Sequence, residues 1–226
     1  MKCKLKYKKL DKHGFPVNSK ANPREAHLMG QDVFIYENFF PNKRDGVFID
    51  IGAAEGVSRS NSYFFEKELG WSGICIEAQK HSYDKLIKNR NSICVNACLS
   101  DKEEEVEFMT FKNGGEAIGG IIKYYSPLHV EKQVKKWQKN SGKVVMRSRL
   151  ITDVLSENNI TKADYLSIDT EGSDLIILKT VPLDDLQVSC ISIENNYAND
   201  EIKKYMNSAG FKFQQRFRND DVYVRI

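Results

Sequence analysis

Long apolar runs are missing from this chain of 226 residues. A helix needs about 20 consecutive apolar residues to span a bilayer, and no stretch of the sequence approaches that length. Residues 1–4 lead into further lysines and not into an apolar signal core. We therefore expect a cytoplasmic protein that makes no contact with a membrane.

Proline is also scarce, with five residues, and no tract of the sequence is repetitive. Aromatic residues make up 11%, which argues against a disordered, collagen-like or low-complexity chain. The 41% of hydrophobic and 29% of charged residues suffice for one sizeable core and a well-solvated surface. A single folded domain is the expectation.

Neither the cysteines nor the histidines are grouped. Five cysteines cannot all pair, and Cys75, Cys94 and Cys190 lie in apolar runs, where a thiol packs as a small hydrophobe. The four histidines stand far from any pair of cysteines, so the spacing excludes a zinc site. These features favour a reducing compartment.

The net charge of +3 is too small to indicate a nucleic-acid-binding protein by itself. Lysines are nevertheless concentrated near the start, and residues 1–29 are predicted to form a basic N-terminal arm ahead of one domain over residues 30–226. Solvation of this arm is the simpler interpretation, and contact with RNA or an anionic polymer is the alternative.

From residue 30 onward, apolar segments of strand length alternate with helical patterns. Five such segments lie at 47–51, 73–77, 92–95, 165–169 and 188–194. This alternation predicts an α/β fold in which helices cover both faces of a parallel sheet, a three-layer sandwich. A helix at 200–208 and two alternating segments at 211–217 and 222–226 predict a closing antiparallel hairpin.

Residues 112–147 fit neither pattern and are predicted to form an inserted lid above the sheet. Val130, Val134 and Trp137 recur at helical spacing, and four lysines fall on the other faces of this helix (Lys132, Lys135, Lys136, Lys139). Solvated lysines are the simpler explanation. The alternative is a lid whose cations meet an anionic or polyhydroxylated acceptor.

The turn after the first strand carries the clearest sign of a ligand. Asp50, Gly52, Glu55 and Gly56 stand in a strand-to-helix turn, where glycines let the backbone approach a ligand. The dinucleotide fingerprint needs glycine at the position of Asp50, and two acidic residues would repel a pyrophosphate. A cationic ligand such as S-adenosylmethionine fits better, with Glu77 placed to accept hydrogen bonds from its ribose hydroxyls. The alternative is that the glycines only form a turn.

Several blocks of the sequence together resemble one known family. They are GQDVFI at 30–35, VFIDIGA at 47–53, SN at 60–61, FEKELGWSGICIE at 65–77 and LSIDTEG at 166–172. On these motifs the chain is similar to the FkbM family of S-adenosylmethionine-dependent methyltransferases, over roughly residues 30–226. The resemblance implies a Rossmann-like class I methyltransferase fold, with a seven-stranded, mostly parallel sheet whose last strand is antiparallel. It also implies methyl transfer to an oxygen, often that of a sugar or polyketide hydroxyl.

Carried over residue by residue, the resemblance implies a set of cofactor-binding positions. Asp50, Gly52 and Ala53 would line the methionine end of the cofactor, Glu77 the ribose, and the turn at 98–100 the adenine. The full set is Gln31, Asp50, Gly52, Ala53, Glu55, Gly56, Ser60, Asn61, Glu77, Cys98, Ser100 and Asp169. The departures from the family pattern are Glu55 where aspartate is commoner, Ser62 where threonine is usual, and Ala78 with Gln79 in place of a proline.

Methyl transfer to an alcohol requires alignment of the acceptor with the methyl group and removal of the acceptor's proton. Asp169 ends the fourth strand, and Glu194 and Asn195 end the fifth, so these side chains are expected to meet at the carboxyl edge of the sheet. Asp169 and Glu194 are the predicted catalytic carboxylates. With Asn195 they also resemble the Mg²⁺ site of catechol-type O-methyltransferases, since hard oxygen ligands suit Mg²⁺. The alternative for Asp169 and Glu171 is capping of the following helix.

His129 in the lid is a further candidate catalytic residue, as a general base. A solvent-exposed histidine is the simpler interpretation, because nothing in the sequence places it near the acceptor. Arg147 and Arg149 alternate along a predicted strand, where they either bind a substrate phosphate or occupy an exposed edge.

The predicted function is O-methylation of a hydroxyl, with a small molecule, carbohydrate or glycan as the acceptor. Methylation of an RNA ribose 2′-hydroxyl is the second hypothesis, and the basic arm and lid support it. The lack of a lysine at the ends of the fourth and fifth strands argues against it. The third is a non-catalytic module that keeps the fold or the cofactor, against which the presence of Asp169 argues.

Overall fold

The computed structural model describes residues 30–112 and 115–226 and, nearer the N-terminus, the strands β1 (Lys9–Leu10) and β2 (Pro16–Val17). These two strands pair antiparallel. The rest of the predicted arm, residues 1–29, lies outside the described residues. Within the described part, no helix is both long enough and apolar enough to cross a bilayer.

Strands and helices alternate along most of the chain, as the apolar pattern predicts. The further strands are β3 (Val47–Ile51), β4 (Ser72–Glu77), β5 (Ile93–Asn96), β6 (Cys98–Leu99), β7 (Glu105–Phe111), β8 (Gly120–Ile121), β9 (Ser141–Arg149), β10 (Tyr165–Ile168), β11 (Cys190–Glu194), β12 (Phe211–Phe217) and β13 (Asp220–Arg225). The α-helices are α1 (Gln31–Phe39), α2 (Tyr63–Leu69), α3 (Lys80–Asn89), α4 (Pro127–His129), α5 (Lys135–Trp137), α6 (Ile151–Glu157), α7 (Asp174–Leu178) and α8 (Asp200–Ser208).

Seven strands form the central sheet, in the order β12, β13, β11, β10, β3, β4 and β5. β13 runs antiparallel to both of its neighbours, and the remaining pairs of this sheet are parallel. The predicted Rossmann-like class I methyltransferase fold, with its antiparallel last strand, is confirmed. The predicted hairpin strand at 222–226 begins two residues earlier, because Asp220 and Asp221 already pair with β12.

Both faces of the sheet are buried, as near-continuous apolar strands require. Ile49 and Ile51 of β3 belong to one core, which includes Val154 of α6 and Ile177 of α7. Phe48 points to the opposite face and belongs to a second core formed with α1, α2 and α3. Helices therefore cover both sides of the sheet, and the carboxyl ends of its strands remain free to form a site.

A second sheet has the order β6, β9, β7 and β8. Part of the predicted lid, residues 112–147, belongs to this sheet. The sheet itself begins earlier, at β6, and ends later, at the last residue of β9. β9 pairs with β7 over residues 141–147 and with β6 only at Ser148 and Arg149, so the stretch that carries Arg147 is an edge on its other side, as one of the two alternatives predicts. Arg147 and Arg149 on this strand form ion pairs with Glu103 at 3.1 Å and Glu157 at 2.5 Å.

The lid helix is irregular. A π-helical turn at Val130–Val134 separates α4 from α5, and a 3₁₀ turn at Gln138–Asn140 follows. The wider π turn changes the angular spacing of the side chains around the helix. Val134 is buried and Trp137 is half-buried, but Val130 is 36% exposed. The apolar face predicted from helical spacing is therefore only partly formed.

Candidate functional site

A cavity of about 880 Å³ opens at the carboxyl ends of β3, β4, β10 and β11. The chain order of the sheet reverses between β3 and β10, and ligands of open α/β sheets bind at such a point. Residues of the second sheet and of the lid also line the cavity, among them Phe108, Ile121 and Trp137. One cavity thus connects Glu77 at the end of β4 with Glu194 at the end of β11.

The turn after β3 requires glycine at position 52. Gly52 has a φ of +86°, and a Cβ atom added there would lie 1.7 Å from the backbone oxygen of Asp169. The N–H groups of Gly52 and Ala53 both donate to the carbonyl of Ile76, at 2.9 and 3.1 Å. The absence of a side chain at Gly52 therefore lets β3, β4 and β10 converge at the cavity.

Glu77 is buried at the end of β4. Its Oε2 accepts a hydrogen bond from the N–H of Ala54 at 2.9 Å, and its Oε1 accepts one from the N–H of Gln79 at 2.7 Å. Burial raises the pKa of Glu77 to about 7, against the effect of these hydrogen bonds. Because a carboxylate has about four lone-pair positions, Glu77 can still accept hydrogen bonds from the hydroxyls of a ligand.

Arg90 organises the loop that follows β3. Its buried guanidinium forms an ion pair with Glu66 at 2.9 Å. It also donates hydrogen bonds to the carbonyl of Gly56 and the hydroxyl of Ser60, both at 3.2 Å, and to the hydroxyl of Ser62 at 3.0 Å. One cation therefore joins α2, the end of α3 and the loop lining the cavity.

Asp50 is linked to the same network, because the Ser62 hydroxyl donates a hydrogen bond to its carboxylate. Burial raises the pKa of Asp50, while the charge of Arg90 and the hydrogen bond from Ser62 oppose the rise. Sequence reasoning missed Arg90, since a lone arginine at the end of an amphipathic helix looks like a surface residue. The FEKELG block containing Glu66 was recognised, but it did not reveal the partner of Glu66.

Gln79 connects the two sheets, and Ser100 is bonded within the second one. Gln79 donates to the carbonyl of Glu116 at 2.6 Å and accepts from the N–H of Phe111 at 3.1 Å. Ser100 is fully buried, and its hydroxyl lies 3.1 Å from the hydroxyl of Tyr124. Gln79, which with Ala78 stands in place of the family's proline after Glu77, thus connects the end of β4 to the second sheet.

Three carboxylates meet where β10 and β11 end. Asp169, Glu171 and Glu194 each offer an oxygen, and these oxygens lie within 4.8 Å of one another. Burial and then the neighbouring negative charges raise the pKa of all three. Asn195 is engaged elsewhere, because its Oδ1 accepts a hydrogen bond from the N–H of Asn199 at 2.6 Å and its Nδ2 donates to Asp221 at 2.7 Å. The metal-binding set predicted from the sequence therefore differs from the cluster in the structure, in which Glu171 stands beside Asp169 and Glu194.

Asp174, and not Asp169 or Glu171, accepts the hydrogen bonds from the backbone N–H groups of the turn before α7. Its carboxylate accepts hydrogen bonds from the N–H groups of Thr170 at 2.7 Å and Gly172 at 2.9 Å. Glu171 has a φ of +55° and is buried, and the amide of Asn196 donates to it at 3.3 Å. Glu171 is therefore directed into the cluster by the turn that Asp174 stabilises.

His129 is buried and only 2% exposed, so the expectation of a solvent-exposed side chain is wrong. Its Nδ1 lies 3.5 Å from Oε2 of Glu171, and its ring packs on Tyr125 with 4.5 Å between centroids. Its Nε2 has no hydrogen-bond partner among the described residues. Burial lowers the pKa of His129. The lid thus brings this imidazole next to the carboxylates, although it does not line the cavity.

Most of the predicted site residues share the cavity wall. Those that line it are Asp50, Gly52, Ala53, Glu55, Ser60, Asn61, Glu77, Cys98, Asp169 and Glu194. Those that do not are Gln31, Gly56, Ser100, His129 and Asn195. Gly56 instead packs tightly, since an added Cβ would lie 2.5 Å from Leu86 and 2.8 Å from Arg90. Gln31 is buried, and its amide atoms have no hydrogen-bond partner in the described part of the chain.

One alignment with a solved structure supports the fold, and two weaker similarities accompany it. The chain aligns with the methyltransferase FkbM from Methylobacillus flagellatus KT with a TM-score of 0.52 and 13% identity, covering 84% of this chain and 46% of that one. It spans about half the length of that protein. The alignment with the N-terminal domain of human METTL16 has a TM-score of 0.44 and 13% identity, covering 85% and 65% of the two chains. The alignment with the precorrin-6y C5,15-methyltransferase from Geobacter metallireducens GS-15 has a TM-score of 0.45 and 13% identity, and it covers 95% of this chain and 94% of that one.

Comparison with curated proteins gave no match. The family model described as the methyltransferase FkbM domain matches residues 50–213, which include the turn after β3, Glu77 and the carboxylate cluster. The chain therefore belongs to the FkbM family of S-adenosylmethionine-dependent methyltransferases.

Proposed function

We propose that the protein transfers a methyl group from S-adenosylmethionine to a hydroxyl oxygen of a carbohydrate or glycan. The observation that carries this proposal is the continuity of the cavity, which runs from Glu77 to the carboxylates Asp169 and Glu194. A donor held at one end and an acceptor held at the other would meet beside groups able to take a proton.

The residues around the turn after β3 fit this cofactor. Asp50, Glu55 and Glu77 make this end of the cavity acidic, which favours a ligand that carries an ammonium and a sulfonium. Glu77 would accept hydrogen bonds from the ribose hydroxyls, and the missing side chain of Gly52 lets the ligand approach the backbone. When bound, S-adenosylmethionine supplies an electrophilic methyl group on its sulfonium.

The carboxylates at the ends of β10 and β11 are proposed to prepare the acceptor. In the ionised form, Asp169 and Glu194 are stronger bases than free carboxylates, because burial and the neighbouring negative charges raise their pKa values. We propose that His129 assists as a general base through its contact with Glu171. Its lowered pKa keeps the imidazole neutral and able to accept a proton near pH 7.

Magnesium is a second proposed component, favoured by the three oxygens within 4.8 Å of one another. Asp169, Glu171 and Glu194 would hold the ion, since Mg²⁺ prefers carboxylate oxygens. A bound divalent cation lowers the pKa of an alcohol that coordinates to it. We expect chelation during turnover to abolish activity and added Mg²⁺ to restore it. Full activity after rigorous chelation removes the ion from the mechanism.

Methyl transfer from isotopically labelled S-adenosylmethionine to parallel panels of glycans, small alcohols and RNA tests the proposed function. We expect product with the glycans, in which the new methyl group forms an ether. Asp169→Asn and Glu194→Gln should each lower kcat by at least about 100-fold. Asp185→Asn, an exposed acid away from the cavity, should leave the rate unchanged.

The other outcomes of this experiment separate the alternatives. Methylation of RNA that falls steeply with salt would replace the glycan by a ribose 2′-hydroxyl. Binding of S-adenosylmethionine without transfer to any acceptor would favour a non-catalytic module. Labelled product with a methylated nitrogen or carbon would contradict the proposed O-methylation.

A further inference from the structure

Arg59 adopts a backbone conformation that arginine rarely takes, with a φ of +61°. Its neighbours are firmly held: the N–H of Ser58 donates to Glu55 at 2.6 Å, and the hydroxyl of Ser60 accepts from Arg90 at 3.2 Å. Asn61 donates to the hydroxyl of Ser167 at 3.0 Å. Left-handed backbone at a residue with a Cβ persists when its surroundings impose it, and such residues cluster at functional sites.

The side chain of Arg59 is exposed and lines the cavity. It forms no ion pair with the described residues, whereas Arg147 and Arg149 each bind a glutamate. Its positive charge acts on Glu171, whose pKa it lowers in opposition to the effect of burial. Because Asn61, two residues further on, bonds to Ser167 of β10, the cation of Arg59 lies at the cavity wall near the end of β10, with no ion-pair partner among the described residues.

The carboxyl groups of Asp169, Glu171 and Glu194 offer an anion no positive partner. The guanidinium of Arg59 at the wall supplies one, and its planar fork matches a carboxylate or phosphate in two hydrogen bonds. The geometry points to Arg59 as the residue that binds an anionic group on the acceptor, which makes the acceptor an acidic carbohydrate such as a uronate or a sugar phosphate. This inference rests on the proposed function and specifies its substrate class.

The remaining wall supports a sugar in preference to a polynucleotide. Asn196 and Asn219 line the same cavity, and side-chain amides suit hydrogen bonding to sugar hydroxyls. The other lining cations are Lys85 on α3 and Lys136, whose ammonium lies over the ring of Trp137 at 5.9 Å. A single anion needs only one cation, whereas a phosphodiester chain is held by a series of cations along its backbone.

The test compares Arg59→Gln and Arg59→Lys with a matched control, Arg218→Gln. Arg218 is also exposed with a positive φ, of +52°, and does not line the cavity. Initial rates are measured with two acceptor pairs, methyl glucuronide against methyl glucoside and glucose 6-phosphate against glucose. Calorimetry measures the binding of S-adenosylhomocysteine, and then of methyl glucuronide and inorganic phosphate to the loaded protein.

We expect the wild type to prefer the charged member of at least one pair, which identifies the anion as carboxylate or phosphate. Arg59→Gln should raise KM for that member, and weaken binding of the matching probe, by at least about tenfold. Its kcat and its affinity for S-adenosylhomocysteine should stay near wild type. Arg59→Lys should recover part of the preference, and Arg218→Gln should behave as wild type.

Three results would overturn the inference while leaving methyl transfer intact: equal use of charged and neutral sugars, weakened cofactor binding in Arg59→Gln in place of weakened acceptor binding, or preferred methylation of RNA. Failure of the cofactor-loaded wild type to bind either anionic probe would also overturn it. Failure of the wild type to bind S-adenosylhomocysteine at all would instead reject the proposed function.

Discussion

Replacing Gly52 by alanine is the sharpest test of how the site is assembled. The added Cβ would lie 1.7 Å from the backbone oxygen of Asp169, whereas ordinary contacts begin at 3.4 Å. Relief of this overlap requires the turn after β3 to move away from the end of β10. That movement would strain the hydrogen bonds from Gly52 and Ala53 to Ile76 and from Asp169 to Ile51, which are 2.9 to 3.1 Å long.

The expected loss of stability follows from these contacts. A left-handed φ with a Cβ costs about 1–2 kcal/mol, and each strained backbone hydrogen bond costs about 1 kcal/mol. We therefore expect Gly52→Ala to lower the free energy of unfolding by about 4 kcal/mol and to abolish binding of S-adenosylmethionine. Urea unfolding and calorimetry measure the two quantities.

Gly70→Ala is the matched control. Gly70 also has a positive φ, of +72°, but an added Cβ would meet no atom within 4 Å. Only the cost of a left-handed backbone at a residue with a Cβ remains. We therefore expect the free energy of unfolding to fall by about 1 kcal/mol and cofactor binding to be unchanged. Equal losses of stability in the two variants, or normal cofactor binding by Gly52→Ala, would refute the close approach of β3 and β10.

Two further predictions concern buried charges. Arg90→Met should lower the free energy of unfolding by about 3–5 kcal/mol, because Glu66 loses its buried partner; the exposed Arg147→Met serves as control, and a similar small loss in both would contradict the role of Arg90. The pKa of Glu77 is about 7 in the folded protein and 4.5 for a glutamate side chain in water. Protonation of Glu77 therefore stabilises the folded state fully below about pH 4.5, and this stabilisation is lost as the pH rises through 7. Relative to Glu77→Gln, the cofactor-free wild type should lose about 3 kcal/mol between about pH 4 and pH 8, and a constant difference in urea unfolding across this range would contradict the shift.

The chemical character of the site could be read from the sequence because it depends on residues at strand ends. Asp50, Glu77, Asp169 and Glu194 each stand at or next to the carboxyl end of a predicted parallel strand, and parallel strands bring such ends to one edge. All four line one cavity. The motif context then distinguished an acidic, cation-binding turn from a phosphate-binding one.

Contacts between segments far apart in the chain could not be predicted from the sequence. Glu66 and Arg90 are 24 residues apart, and a charge at the end of an amphipathic helix carries no sign of its partner. His129 looked exposed because its neighbours are lysines, yet the packing of the lid on Glu171 and Tyr125 buries it. Asn195 comes directly after Glu194, the last residue of β11, but its side-chain oxygen accepts from the N–H of Asn199 and its side-chain nitrogen donates to Asp221.

The sequence by itself determined the element order, the sheet with its antiparallel last strand, and the family, because these depend on apolar periodicity and on motifs within short segments. Only the tertiary structure decided which polar groups meet: Arg90 with the loop after β3, His129 with Glu171, and Arg59 with the wall of the cavity. Side-chain pairing depends on how helices and the second sheet pack against strand ends, and local periodicity holds no information about that packing.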